Sequence, residues 1–442
     1  MSEPNDQEFL DEIYQMLDLQ KPAQPEPRGP RTPPRRPPRK RRRRFPWLAL
    51  LLLLLGCGLA FALLQSRQAA QTPPSTTAPT LPASQAQDGD VLTIAAGGDV
   101  TITQALLDDA RQPDGSYDFS SMLLQASPLL AGADLAVANL EVNFCGSPYE
   151  PDRYNAPESL LTALSGAGLD LGQTANSMSI YNGIAGLQST LEAVRAAGLE
   201  PLGTFADQAE FQRTKGVTVL EVKGFRVAFV AFTKGLDNLK LPAGSENCVN
   251  LLYKDYNTTY RKVDTEAIRS VLSAAQAQKP DVTIALLHWG SEYDQTISKT
   301  QEEIRDLMFS QGVDVILGTH SHLVGPVEVT TVQDKDRLTA YSLGNLLSTD
   351  QEPGANQGLV LQLEFTKSDG QTKLTSHRYV PIYLAQGTET DTGKFQVLNT
   401  LDAIALYESD YIGKVSEETY QSLTRSAQKI AELVQPTEPE TA

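Results

Sequence analysis

From residue 91 onward the chain alternates short apolar runs with amphipathic stretches. Val91–Ala96, Leu135–Ala138, Leu169–Gly172, Val217–Val222, Arg226–Phe232, Val282–Leu287 and Val313–Leu317 are each four to seven residues long. Several are rich in β-branched side chains, and all read as strands. Between several of them, Phe119–Leu130, Pro157–Ala167, Ile184–Ala197, Val263–Ala277 and Ser298–Ser310 carry helical spacing. Strand–helix alternation predicts βα units and at least one largely parallel sheet. After His322 the pattern changes: Val327–Thr331, Leu338–Ser342, Leu359–Phe365 and Leu374–Ile382 follow one another with no long helix, as antiparallel strands do. Two packed sheets with helices outside would accommodate this α/β pattern over residues 91–385. Residues 386–442 read as a C-terminal helical extension, with one or two helices over 396–434.

The first 90 residues follow other rules. Phe45–Leu64 is an unbroken apolar run of 20 residues, long enough to cross a bilayer as a helix. Ahead of it, Arg28–Arg44 holds ten Lys/Arg and no acid, so the positive-inside rule keeps residues 1–44 in the cytoplasm and puts the rest outside. A cleaved signal peptide would need a charged leader more than 40 residues long. The reading is a single-pass anchor in the cell membrane at 45–64. Phe9, Leu10, Ile13, Tyr14, Leu17 and Leu19 suit a short amphipathic cytoplasmic helix, a candidate docking peptide. Residues 21–44 are Pro/Arg-rich and extended, and Gln65–Asp90 is a linker rich in Gln, Thr, Pro and Ser.

Charge divides across that anchor. The chain carries a net charge of −17, from 37 Lys/Arg and 54 Asp/Glu. Residues 1–44 hold 11 basic and 7 acidic side chains, which leaves 26 basic and 47 acidic beyond them. Bulk electrostatics of that sign exclude nucleic acid as a partner of the outer domain, while the basic tract suits anionic membrane lipid. Cys145 and Cys248 both fall outside the membrane, where a disulfide is permitted, and form the candidate pair.

Four histidines serve the whole chain, and three sit at two strand ends. His288 follows the run 282–287; His320 and His322 follow 313–317 in the stretch GTHSH. Open α/β sheets place their sites at such carboxyl ends, and imidazole is the commonest transition-metal ligand. Three more loops collect polar groups after strands: Gly97-Gly98-Asp99, Asn139-Leu140-Glu141 and Thr174-Ala175-Asn176-Ser177-Met178. A bridging carboxylate, an amide oxygen and several imidazoles could hold one or two divalent ions (Mn, Fe, Zn or Mg).

The stretches AAGGDVT, VANLE, TANSMSIYNG, HWGSEY, GTHSHLVGPVE and YSLGN resemble the CapA-type poly-gamma-glutamate capsule biosynthesis proteins of the calcineurin-like metallophosphatase superfamily. The resemblance runs from about Val91 to Tyr383. It implies a four-layer α/β/β/α metallophosphatase-like sandwich, and metal ligation by Asp99, Glu141, Asn176, His288, His320 and His322, with Glu141 bridging. It also implies an anionic polymer or phosphorylated substrate and a phosphoesterase-like hydrolase. Glu292 and Tyr293 stand as catalytic candidates on bound water, and Arg153 and Asn345 as substrate-binding ones. One position departs from the family: where the third motif carries the histidine thought to protonate the leaving group, this chain has Met178. A thioether carries no proton, so the alternative is a non-catalytic accessory protein of a polymer synthesis or export complex.

Overall fold

The computed structural model describes residues 86–386, 394–411 and 414–434. Residues 1–44 expected to be cytoplasmic, the 45–64 run expected to span the membrane and most of the 65–90 linker lie outside these; among the described residues no helix is long and apolar enough to cross a membrane. Among the described residues fourteen strands form two sheets. They are β1 (Val91–Val100), β2 (Leu135–Leu140), β3 (Leu171–Gln173), β4 (Glu200–Leu202), β5 (Thr218–Val222), β6 (Phe225–Thr233) and β7 (Val282–His288), then β8 (Val315–Thr319), β9 (Val327–Val332), β10 (Lys335–Ala340), β11 (Asn345–Leu347), β12 (Gln357–Ser368), β13 (Gln371–Gln386) and β14 (Phe395–Asn399).

The first sheet runs β14-β13-β12-β1-β2-β3-β4, with β11 also pairing β1; the second runs β5-β6-β7-β8-β10-β9. In the βα half β1–β2, β2–β3, β3–β4, β6–β7 and β7–β8 are parallel as expected, whereas β5 and β6 pair antiparallel. The later strands are mixed. β9–β10 and β12–β13 are antiparallel, whereas β10 joins β8 and β11 joins β1 in parallel.

Period-two alternation sets the layers. Ile94 and Ala96 of β1 face a central core with Ile284 and Leu286 of β7 and Leu361 and Leu363 of β12. Ala95 turns to the outer side, packing with Leu106, Leu107, Leu160 and Leu164 from helices Gln104–Ala110 and Ser159–Gly166. On the second sheet Ala285 and Leu287 turn outward onto Ile268, Leu272, Ile304 and Met308 of helices Thr265–Ala277 and Lys299–Ser310. Helix Lys299–Ser310 starts where its sequence says it should: Ser298 and Gln301 cap each other reciprocally.

Three expectations change. Phe119–Leu130 is not one helix but a 3₁₀ turn, Ser120–Leu123, and a short helix, Ser127–Ala131. The tail after residue 385 is not a separate helical extension: β14 pairs with β13, and Leu401, Ile404, Leu423 and Ile430 of the two last helices enter the central core. Cys145 and Cys248 are both free; the first lies against Gly186 and the second is buried in the core.

Candidate metal centre

The strands that carry the motifs end together. Asp99 is the penultimate residue of β1, Glu141 follows β2, His288 closes β7, and His320 and His322 follow β8. Two close backbone approaches make this junction possible. A Cβ at Gly98 would meet the Gly344 carbonyl oxygen at 1.9 Å, and one at Gly318 would meet that of Tyr341 at 2.0 Å. Neither position admits a side chain.

All five charged or imidazole candidates are buried. Their ligand atoms fall into two trios, Glu141–His288–His320 and Asp99–Glu141–His322, with the atoms of each trio within 4.8 Å of one another. Glu141 belongs to both, the position a bridging carboxylate takes. Its Oε1 lies 3.2 Å from His288 Nε2 and its Oε2 lies 3.9 Å from His322 Nε2. Asp99 Oδ2 lies 3.2 Å from His322 Nδ1 and accepts the backbone N–H of His320 at 3.2 Å. The backbone of the GTHSH loop is unusual: His320 and His322 have φ of 95° and 58°, a region costly for residues with a Cβ. That strain aims both rings at the carboxylates of the facing sheet.

The electrostatics suit a cation. Burial disfavours charge on His322, but its hydrogen bond to Asp99 and the pull of Asp99 and Glu141 raise it to about 10. Burial likewise opposes ionisation of Asp99, yet the same His322 contact and His288 hold it below the usual carboxylate range. His320 moves the other way: burial, with His288, Lys234 and His322 nearby, keeps it neutral and therefore able to ligate. Its Nδ1 is buried without a hydrogen-bond partner. Buried carboxylates require positive charge close by, which a proton on His322 supplies here and a divalent ion can supply instead. The donor set and the orphaned nitrogen fit a divalent metal.

The remaining candidates divide. Asn176 is close, but its amide is turned to loop support. Its Oδ1 accepts from Met178 N at 3.1 Å, and its Nδ2 donates to Leu140 O at 2.7 Å and to Asn139 Oδ1 at 3.1 Å. Ser177 faces the centre instead, its Oγ 3.0 Å from His288 Nε2. Asn345 does not point at a substrate space: its Oδ1 is 3.0 Å from His322 Nδ1 and its Nδ2 donates to Ala355 O, so it orients that ring. Tyr293 donates to Asp350 at 2.5 Å, and burial with that contact pushes its hydroxyl pKa up. Arg153 is mostly exposed and bound to Asn182 Oδ1 at 3.1 and 3.2 Å, so the structure does not bring it into the cluster. Glu292 lines an open cleft of about 200 Å³ with Ser177, Lys234 and His320. Met178 is buried beside these residues and offers no proton.

Three contributors were given no role by the motif reading, although Asn139 and Thr319 stand inside quoted motifs. Asn139 stands at the middle of the cluster, donating to Asp99 Oδ1 at 2.6 Å and lying 3.4 Å from Glu141 Oε2 and His288 Nδ1. Thr319 Oγ1 lies 3.1 Å from His288 Nδ1 and helps set its tautomer. Lys234, directly after β6, borders the cleft. Each follows the same strand-end rule that revealed the histidines.

Two sheets with helices on their outer faces and a carboxylate–imidazole cluster at the carboxyl ends define an α/β sandwich with a candidate metal centre. Within that class, residues 93–350 match the family described as bacterial capsule synthesis protein PGA_cap, more than half of the chain, and the chain belongs to that family. It is 27% identical over 195 residues to the capsule biosynthesis protein CapA of Bacillus anthracis, covering 44% of this chain and 43% of that one. It is 24% identical over 264 residues to the PGA biosynthesis protein CapA of Bacillus subtilis, covering 58% of this chain and 63% of that one. The chain thus spans less than two thirds of either relative. Among solved structures, the calcineurin-like phosphoesterase YfkN from Bacillus subtilis aligns with a TM-score of 0.41 at 14% identity, over 77% of this chain and 100% of that one.

Proposed function

We propose that this protein is a membrane-anchored, outward-facing component of capsule, poly-gamma-glutamate or cell-envelope polymer synthesis whose outer domain holds one or two divalent ions. The observation that carries it is the pair of trios sharing Glu141, next to the unpartnered Nδ1 of His320. Glu141, His288 and His320 would hold one ion, and Asp99, Glu141 and His322 another. When bound, such an ion acts as a Lewis acid toward a phosphoryl or carboxyl oxygen. Two imidazoles in one set favour Mn, Fe or Zn over Mg. Around it, Asn345 and Thr319 fix ring orientation, and Asn139 holds the two carboxylates in register. The full chain, purified in detergent, is expected to carry Mn, Fe or Zn at one or two ions per chain by elemental analysis. Glu141→Ala should lose most of it, because both sets share that carboxylate. Metal-free protein that takes up none of these ions would overturn the reading.

Met178 favours a second reading, in which the bound centre serves recognition and the protein assists an export or synthase complex through residues 1–44. In that case His320→Ala leaves polymer output unchanged in cells and deletion of 1–44 abolishes it. The reverse result excludes it.

A further inference from the structure

Lys234 is a cation that neither the motifs nor the family comparison marks. It follows the last residue of β6, which pairs in register with His288, and its backbone N–H donates to the His288 carbonyl at 2.8 Å. Its ammonium is held on two sides: Nζ donates to Gly290 O at 2.6 Å and sits 4.8 Å from the centroid of the Tyr260 ring. The ring can come this close because residue 235 is glycine, whose Cβ would otherwise meet Tyr260 Cε1 at 2.5 Å. An ammonium has three donors; one is given to that carbonyl and the Tyr260 ring covers another side. Lys234 lines the cleft of about 200 Å³ together with Ser177, Glu292 and His320. That volume is below the range of pockets for drug-sized ligands, so it admits one terminal group rather than a length of polymer. Carboxylates Asp237 and Glu292 also line it, so Lys234 is the one Lys or Arg side chain lining it to offset an anionic group there.

We infer that this cleft is an oxyanion pocket in which Lys234 receives an oxygen of a terminal phosphoryl group and positions it beside His320 and Ser177. The inference rests on the metal-centre reading for the group's destination, while the role of Lys234 is read independently of it. A tetrahedral phosphoryl group has enough oxygens to meet Lys234, the Ser177 hydroxyl and the His320 side of the centre together; a planar carboxylate has two.

The test uses the full chain in detergent with inorganic phosphate as probe and acetate as the carboxylate control, metal content being measured on each sample. Wild-type protein should bind phosphate in preference to acetate. Lys234→Gln should weaken phosphate binding roughly tenfold to a hundredfold, the loss of one hydrogen bond between charged groups, with metal content unchanged. Lys234→Arg should retain most of it. Reductive methylation of the wild-type protein, read by peptide mass, supplies a measure that needs no variant: phosphate should protect Lys234 and acetate should not. Equal phosphate binding by wild type and Lys234→Gln, preference for acetate, or absence of protection would each overturn the assignment. A low metal content with phosphate protection intact would count against the metal centre alone.

Discussion

At the scale of single residues, the cluster gathers two carboxylates and three imidazoles, and the neighbouring Met178 brings no proton to it. Met178 stands in the loop that holds Asn176 and Ser177, and it is buried. General acid–base catalysis by a positioned side chain contributes about 10²–10⁴-fold. Met178→His should therefore raise hydrolysis of a model phosphodiester by an amount in that range, in protein loaded with Mn. An assay showing no gain, with metal content equal to wild type, would mean that the missing acid is not what limits turnover. The backbone around it explains why the motif looked more complete than it is. Asn176 kept its identity, but its amide is spent on Leu140 O, Asn139 and Met178 N, and Ser177 meets His288 in its place.

At the scale of elements, the site depends on strand ends approaching closely across two sheets. β1 carries Asp99 and is paired on one side with β2, near Glu141, and on the other with β11, whose Asn345 orients His322. Gly98 lies where β1 meets the Gly344 carbonyl, with no room for a methyl group. Gly98→Ala should push the two backbones apart, since backbone cannot yield as a flexible side chain does. The expected outcome is a lower urea midpoint by circular dichroism together with reduced metal content; a variant unchanged in both would show that the β1–β11 contact is not needed. Strand β11 is three residues long and has no pattern of its own, which is why it escaped the periodicity reading. β4, also three residues, escaped for the same reason, and β14 escaped because only Val397 and Leu398 of its five residues are buried, so it shows no apolar run. By contrast, the five- to seven-residue runs of β7 and β8 declared themselves, because buried parallel strands are apolar on both faces.

At the scale of the whole molecule, the chain joins a net-positive first 44 residues to a remainder with 47 acidic and 26 basic side chains. A domain of that charge would repel an anionic polymer at long range. The repulsion is screened beyond about 8 Å in physiological salt, so recognition would fall to local groups, and Lys234 is one such group at the cleft. The C-terminal segment belongs to this domain rather than trailing from it. Its strand extends the first sheet and its helices bury Leu401, Ile404, Leu423 and Ile430. By itself the amino-acid sequence determined the α/β class, the parallel order of the first half, and the strand ends bearing Asp99, Glu141, His288, His320 and His322. Those follow from local periodicity and residue chemistry, which a linear pattern carries. Tertiary structure alone decided that these ends converge into two trios through one glutamate, that Asn345 and Asn176 support rather than bind, that Cys145 and Cys248 stay apart, and that Lys234 borders the cleft. Each of these depends on contacts between residues far apart in the chain, set by how two sheets pack rather than by any neighbour in sequence.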